Sequence, residues 1–175
     1  MRYSIGDKVV HPMYGAGTIK NITEIEVIGN KGLYYVLDFI MGNMVIEVPV
    51  DNADMIGIRA VISQEEAKNV IERFCTYEIC IDSNWNKRQR DNSKKMKSGD
   101  IYIVLEVLKE LMYRERNNGL STSERKTMAT ARQIVVSEIV MSGYADLESV
   151  EEIMGDSIDM LIEDQSKKQP KRRSK

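Results

Sequence analysis

At 175 residues and 42% hydrophobic content, the chain has the composition of a globular protein of one domain or two small ones, and eleven Met against two Phe suit adaptable cores. No apolar run approaches the roughly 18 residues of a membrane span, and nothing at the N-terminus resembles a signal peptide, so the expected setting is cytoplasmic. The net charge of −2 conceals segregation: residues 81–132 carry twelve Lys and Arg against seven Asp and Glu, residues 133–164 none against nine, and residues 165–175 six against none.

Residues 1–60 read as β. Gly6 to His11 is a short strand entered from a turn. Pro12 to Gly17 is a loop, because proline cannot continue a ladder and the two glycines permit positive φ. Thr18 to Ile25 is a strand by its β-branched content. Gly29-Asn30-Lys31-Gly32 is a hairpin signal, and Leu33 to Ile40 is a strand rich in aromatic and branched residues. Gly42-Asn43 turns the chain into Met44 to Val48, which Pro49 ends. Short strands at this spacing predict a small, highly bent barrel of four or five strands, with its function at an edge or rim rather than in a pocket.

From Ser63 the period becomes helical. Ser63-x-x-Glu66 is a capping box that opens a helix running to about Phe74. Asp82-Ser83-Asn84 supplies N-caps for a helix starting at Trp85, and Gly99 breaks it. Asp100 caps the next, whose apolar stripe runs from Ile101 through Val104, Leu105, Leu108 and Leu111 to Met112, before a turn at Asn117-Asn118-Gly119. Ser121-x-x-Glu124 opens a further helix with Met128, Ala131, Val135, Ile139 and Val140 inward, ending near Gly143. Asp146 and Asp156 start two acidic helical segments. The tail 165–175, with Pro170 and six cations, is expected to be disordered. The fold class is therefore α+β: a small β-barrel over 1–60, an all-α helical domain over 61–164, and a basic tail.

Little in the chain suits catalysis. His11, the one histidine, sits beside Pro12 at a strand end, where a structural role is expected. Gly15-x-Gly17 lacks the third glycine and helix of a dinucleotide fingerprint, and there is no Walker A lysine. The carboxylates of 146–164 lack the glycine-centred loop that calcium needs and read as a solvated face. Cys75 and Cys80 are too far apart for a Cys-x-x-Cys motif and read as buried thiols. No enzyme, cofactor or metal is expected. The stretch with chemistry is Trp85 to Lys97, where the one tryptophan precedes Lys87, Arg88, Arg90, Lys94, Lys95 and Lys97, with Asp91 the single acid. Two readings are open. Cations can neutralise phosphates while the indole wedges at bases, or the helix buries Trp85 in the core and turns a basic face to solvent.

Gly6-Asp7-x-Val9-Val10-x-Pro12-x-x-Gly15-x-Gly17, Tyr35-x-Leu37, Met44-x-x-x-Val48-Pro49-x-x-Asn52 and Gly57-x-Arg59 follow one another in the β half. Asn84-Trp85-x-x-Arg88, Ser98-Gly99-Asp100, Glu106-Val107, Leu111, Gly119-Leu120-Ser121 and Glu124-Arg125-x-x-Met128-x-x-Ala131-Arg132 follow in the helical half. In this order and at these intervals, from Gly6 to about Val140, the chain resembles the CarD/CdnL-type bacterial transcription regulators. The resemblance implies a Tudor-like β domain that docks on the β subunit of RNA polymerase through Met44, Val45, Ile46, Glu47, Val48 and Pro49. It implies a helical domain that touches promoter DNA near the upstream edge of the −10 element, with Trp85 as a minor-groove wedge and Lys87, Arg88, Arg90, Lys95 and Arg125 as phosphate contacts. Such a protein holds the melted promoter open and joins the nucleoid through the polymerase; neither a membrane nor a small-molecule substrate is expected as a partner. Glu47 stands where relatives carry a basic or apolar residue, and His11 where tyrosine is more usual. An RNA- or ribosome-associated binder, stacking Trp85 on an unpaired base, is the rival reading.

Overall fold

A computed structural model describes residues 2–27 and 29–168. The N-terminal half is one antiparallel sheet of β1 (Lys8–His11), β2 (Gly15–Val27), β3 (Asn30–Phe39), β4 (Val45–Pro49) and β5 (Arg59–Ala60), in the order β4-β3-β2-β1-β5. The edge strands β4 and β5 do not pair with each other, so the expected barrel is an open, curved sheet. β5 has two residues, too few to carry a closing ladder, and other segments cover the concave face instead. Tyr3, Ala53 of the short helix α1 (Ala53–Ile56) and Ile58 pack there against Val9, Ile19, Tyr35, Leu37, Phe39 and Val48. The Tyr35 hydroxyl accepts from the N–H groups of Arg2 and Tyr3, both at 3.2 Å, which pins the N-terminal segment over that core.

The β1–β2 connection is shorter than its glycines suggest. β2 begins at Gly15, paired with His11, so only Pro12, Met13 and Tyr14 lie between the strands. The β2–β3 ladder shifts register between Ile19 and Asn21, the bulge expected of a strand that must bend.

The helical half consists of α2 (Gln64–Thr76), α3 (Trp85–Met96), α4 (Ile101–Asn117), α5 (Thr122–Ser142) and α6 (Leu147–Lys168). Side chains cap the first four: Ser63, Asn84, Asp100 and Ser121 each accept from a backbone N–H of the following turn. Ser121 and Glu124 make both bonds of the capping box. Glu66 makes no such return bond, because its carboxylate accepts from the Tyr102 hydroxyl instead. Lys109, 2% exposed, donates to the carbonyls of Cys75 and Tyr77 and so satisfies the C-terminal end of α2.

Three expectations are corrected here. The acidic region is one continuous helix, with Val150, Met154 and Ile158 at four-residue spacing on the core, so Asp156 lies inside a helix and starts none. Cys75 and Cys80 are exposed, because Cys75 falls on the outer face of the last turn of α2 and Cys80 on the connector beyond it. α6 also extends over Gln165–Lys168, part of the segment expected to be disordered; residues 169–175 lie outside the described residues.

α5 has no solvated face over Ile134–Ile139, where every side chain is buried. One side packs with α2, α4 and α6; the other meets the convex face of the sheet, where Met141 joins Val10 and Ala16. Ala16 N donates to Ser137 Oγ at 2.7 Å, and Gln133 Nε2 to the Tyr14 carbonyl at 2.9 Å. A Cβ on Gly15 would collide with Ser137 Oγ and lie 2.8 Å from the Gln133 carbonyl oxygen, so this position needs glycine for approach as well as for its φ of +82°. Beside this contact Arg59 forms a two-pronged ion pair with Glu138, whose side chain is 0% exposed and also accepts from Ile62 N.

Candidate nucleic-acid interface

Trp85 occupies the first turn of α3 because Asn84, in extended backbone conformation, ends the connector and caps the helix by accepting from Lys87 N. Trp85 is 45% exposed. Of the two readings of the Trp85–Lys97 run, the one that buries the tryptophan in the core is therefore set aside. Trp85 Nε1–H donates to Ser121 Oγ at 3.4 Å, and Gln89 Nε2 to Ser123 Oγ at 2.6 Å. Further on, Ser93 of α3, Lys97 just past its end, and Lys126, Thr127 and Thr130 of α5 line one groove, which Met13 closes from the β1–β2 turn. Contacts in this ascending order mean that α3 and α5 run side by side in the same sense. Their positive dipole ends open together at the edge where Trp85 stands, a favourable place for anions.

The candidate cations divide into two sets. Lys87, Arg90 and Arg125 are exposed, as are Lys94, Lys97 and Lys126. Lys87 Nζ bonds Asp82 at 2.6 Å, which holds its ammonium above the ordinary value and keeps it charged. Arg88 and Lys95 turn inward. The Arg88 side chain is 9% exposed; its Nη1 donates to the carbonyls of Asp82 and Ser83 at 2.8 and 2.9 Å, and its Nε and Nη2 donate to Glu124 Oε1 at 3.3 and 3.1 Å. Lys95 leans on α4, with Nζ 3.6 Å from Glu106 and 3.9 Å from Glu110. The resemblance assigns both to phosphates; in the fold Arg88 is bound to the buried Glu124, and Lys95, partly exposed, lies near Glu106 and Glu110.

Glu124 is the meeting point of this region. Burial acts to raise its carboxyl, but bonds from the Ser121 N–H and hydroxyl, from Arg88, and the nearby Arg114 outweigh that and hold it below the ordinary carboxylate range. Two cations here are not named by the sequence reading. Lys126 has a signal, since it directly follows Arg125. Arg114 has none, because it reaches Glu124 from α4, with Nε at 3.7 Å, only once the helices pack.

The expected polymerase-facing segment belongs to the sheet. Among the described residues β4 pairs with β3 alone and leaves its outer edge free. Along it Val45 and Glu47 are exposed, Met44, Ile46 and Pro49 are half-buried, and Val48 belongs to the sheet core. The opposite edge, β5, lies beside Glu138 and offers no comparable run.

Among the described residues no cluster of His, Cys, Asp and Glu could hold a metal, and no helix is long and apolar enough to cross a membrane. Residues 3–62 match the CarD-like/TRCF RID domain, and residues 69–155 match the CarD, C-terminal domain. The chain is also similar to the Bacillus subtilis (strain 168) protein called "Putative transcription factor YdeB", with 32% identity over 145 residues, 82% of this chain and 95% of that one. With a sheet that matches the one domain, helices that match the other, and a relative alike along nearly its whole length, the chain belongs to the CarD-like family of transcription regulators.

Proposed function

We propose that this protein acts at transcription initiation, docking on the β subunit of RNA polymerase through the free edge of β4 and stabilising the open promoter complex through Trp85. The observation that carries this reading is the half-exposed Trp85 at the joint N-termini of two parallel helices, which also expose the cations Lys87, Arg90 and Arg125. A flat apolar ring can fill a distorted step near the upstream edge of the −10 element while cations and helix ends hold the neighbouring phosphates. The match of residues 3–62 to the RID domain supports polymerase binding by the sheet, and an unpaired edge strand is the usual template for adding a partner strand.

Magnitudes explain why both halves are needed. A few phosphate contacts alone give non-specific affinities of about 10⁻⁴–10⁻⁶ M at physiological salt. Tethering through the sheet raises the local concentration to roughly millimolar, enough for so weak a site to be occupied. Unstacking a step costs a few kcal/mol, approximately, in intact duplex and least where the duplex is already distorted, so occupancy favours the melted state. The protein then shifts opening by as much as it binds the open promoter better than the closed one.

The test is Trp85→Ala, read by two measurements: the thermal midpoint of the protein and the lifetime of polymerase–promoter open complexes in its presence. A near-normal midpoint with a shortened lifetime supports the wedge, and Trp85→Phe should recover part of the lifetime. An unchanged lifetime with folded protein would end this reading. Co-purification with ribosomes rather than polymerase after nuclease treatment would replace it with the RNA-binding one.

A further inference from the structure

Trp85 is not a free side chain on a basic helix. Its one polar atom, the indole N–H, meets Ser121 Oγ at 3.4 Å. A serine hydroxyl has one hydrogen to give and two lone pairs to fill. Here all three are used: the hydrogen goes to Glu124 Oε2 at 2.8 Å, one lone pair accepts from Glu124 N at 3.2 Å, and the other accepts from the indole. The rotor is thus set by Glu124, and the remaining lone pair can point only toward the ring. Glu124 is itself held. Its Oε2 also accepts from Ser121 N at 3.0 Å, and its Oε1 accepts from Arg88. Arg88 in turn closes the turn just before Trp85 by donating to the carbonyls of Asp82 and Ser83. The backbone entering Trp85 and the hydroxyl beside its ring therefore depend on one buried carboxylate.

We propose that Ser121 and Glu124 are positioning residues for Trp85, which set the indole in its presenting orientation before any partner arrives. This rests on the wedge reading given above for its functional consequence but not for its geometry. An indole held in one orientation loses less freedom on insertion than one that rotates about its two side-chain torsions. The bond from Ser121 suits the task, because at 3.4 Å it is long: it orients the ring yet is released at little cost when the ring enters DNA.

The test uses the full chain and its single tryptophan, which is its own reporter. Time-resolved fluorescence anisotropy of Trp85 in free protein should have a small fast component in the native chain and in Ser121→Thr, and a clearly larger one in Ser121→Ala and Glu124→Ala. Ser63→Ala is the control, since it removes an equivalent helix cap, on α2, far from the ring. It should lower the thermal midpoint comparably while leaving the anisotropy decay as it is. Open-complex lifetimes are then measured for the same variants beside Trp85→Ala. Shortening by Ser121→Ala, with rescue by Ser121→Thr and none of it in Ser63→Ala, supports the proposal. An anisotropy decay unaltered by Ser121→Ala overturns it whatever the lifetimes do. Released anisotropy with Trp85→Ala shortening the lifetime and Ser121→Ala leaving it intact overturns the functional role of the positioning. Released anisotropy with no effect of Trp85→Ala either leaves the geometry standing and ends the wedge reading instead.

Discussion

Trp85 is open enough to solvent that its truncation should cost little stability. Truncating a buried tryptophan costs about 3–5 kcal/mol, whereas a tryptophan with 45% of its surface open stands to lose only a fraction of that. His11 is the opposite case. Its ring is buried against Tyr14, its Nδ1 accepts from Met13 N at 3.0 Å, and burial holds its pKa below the ordinary value. The folded state therefore favours the neutral ring more than the unfolded chain does. Its contribution to stability is full above the unfolded pKa of about 6.5 and fades as pH falls from there through the lower folded value. Because it is the one histidine, a fall in thermal midpoint between pH 7 and pH 5.5 should be present in the native protein and much reduced in His11→Tyr. Its structural role is legible from its neighbours, since a lone histidine next to Pro12 has no triad partner. Arg88 is not legible in this way. A guanidinium inside a basic run looks like its neighbours until Glu124, thirty-six residues away, arrives beside it.

At the level of elements, α3 has two chemically distinct sides. One turns Lys95 toward Glu106 and Glu110 of α4; the other exposes Lys87 and Arg90. Arg90→Ala and Arg125→Ala should each lower the salt slope of DNA binding by about one unit, nearly independent of sequence, while Lys95→Ala leaves it in place. A titration of binding against salt with the three variants decides this, and equal effects from all three would mean that α3 presents both sides to DNA. On β4, Val45 is exposed and outside the sheet core, so Val45→Asp should weaken capture of the polymerase β subunit without moving the thermal midpoint. Elements announced by local chemistry were readable in advance. Ser63, Asn84, Asp100 and Ser121 act within four residues of themselves, and each caps the helix its position implies. Asp156 has the same side chain as Asp100, but the burial of Val150, Met154 and Ile158 carries α6 straight through it. Whether β4 meets β5 likewise depends on pairing between segments about ten residues apart or more, about which alternation along a strand says nothing.

The molecule as a whole is joined by α5. The sequence pattern marks a boundary near Ser63, yet nothing local signals that Gly15, Ala16 and Arg59 on one side of it share contacts with Ser137 and Glu138 on the other. The available clue is the apolar run Ile134-Val135-Val136, which is wider than one helix face, while Ser137 and Glu138 disguise the rest of a helix that is buried all round and must be covered twice. Arg59→Ala would remove the cation that pairs with the buried Glu138 carboxylate, a loss of about 3–5 kcal/mol. Denaturant unfolding should register that loss, and Arg59→Met with Glu138→Leu should restore much of it; a loss below about 1 kcal/mol would mean that water reaches the carboxylate. Such a joint also bears on how the protein is made. Val10, Ala16 and Gly15 leave the ribosome early, but their cover is α5, and the chain from Ser63 to Ser142 must be synthesised before that cover exists. At roughly 5–20 residues per second those eighty residues take about 4–16 s, during which the convex side of the sheet is bare and the β4 edge is open. The nascent sheet is thus the stage most exposed to wrong association, and a chaperone that binds extended apolar segments would find its target there rather than in the helices that follow.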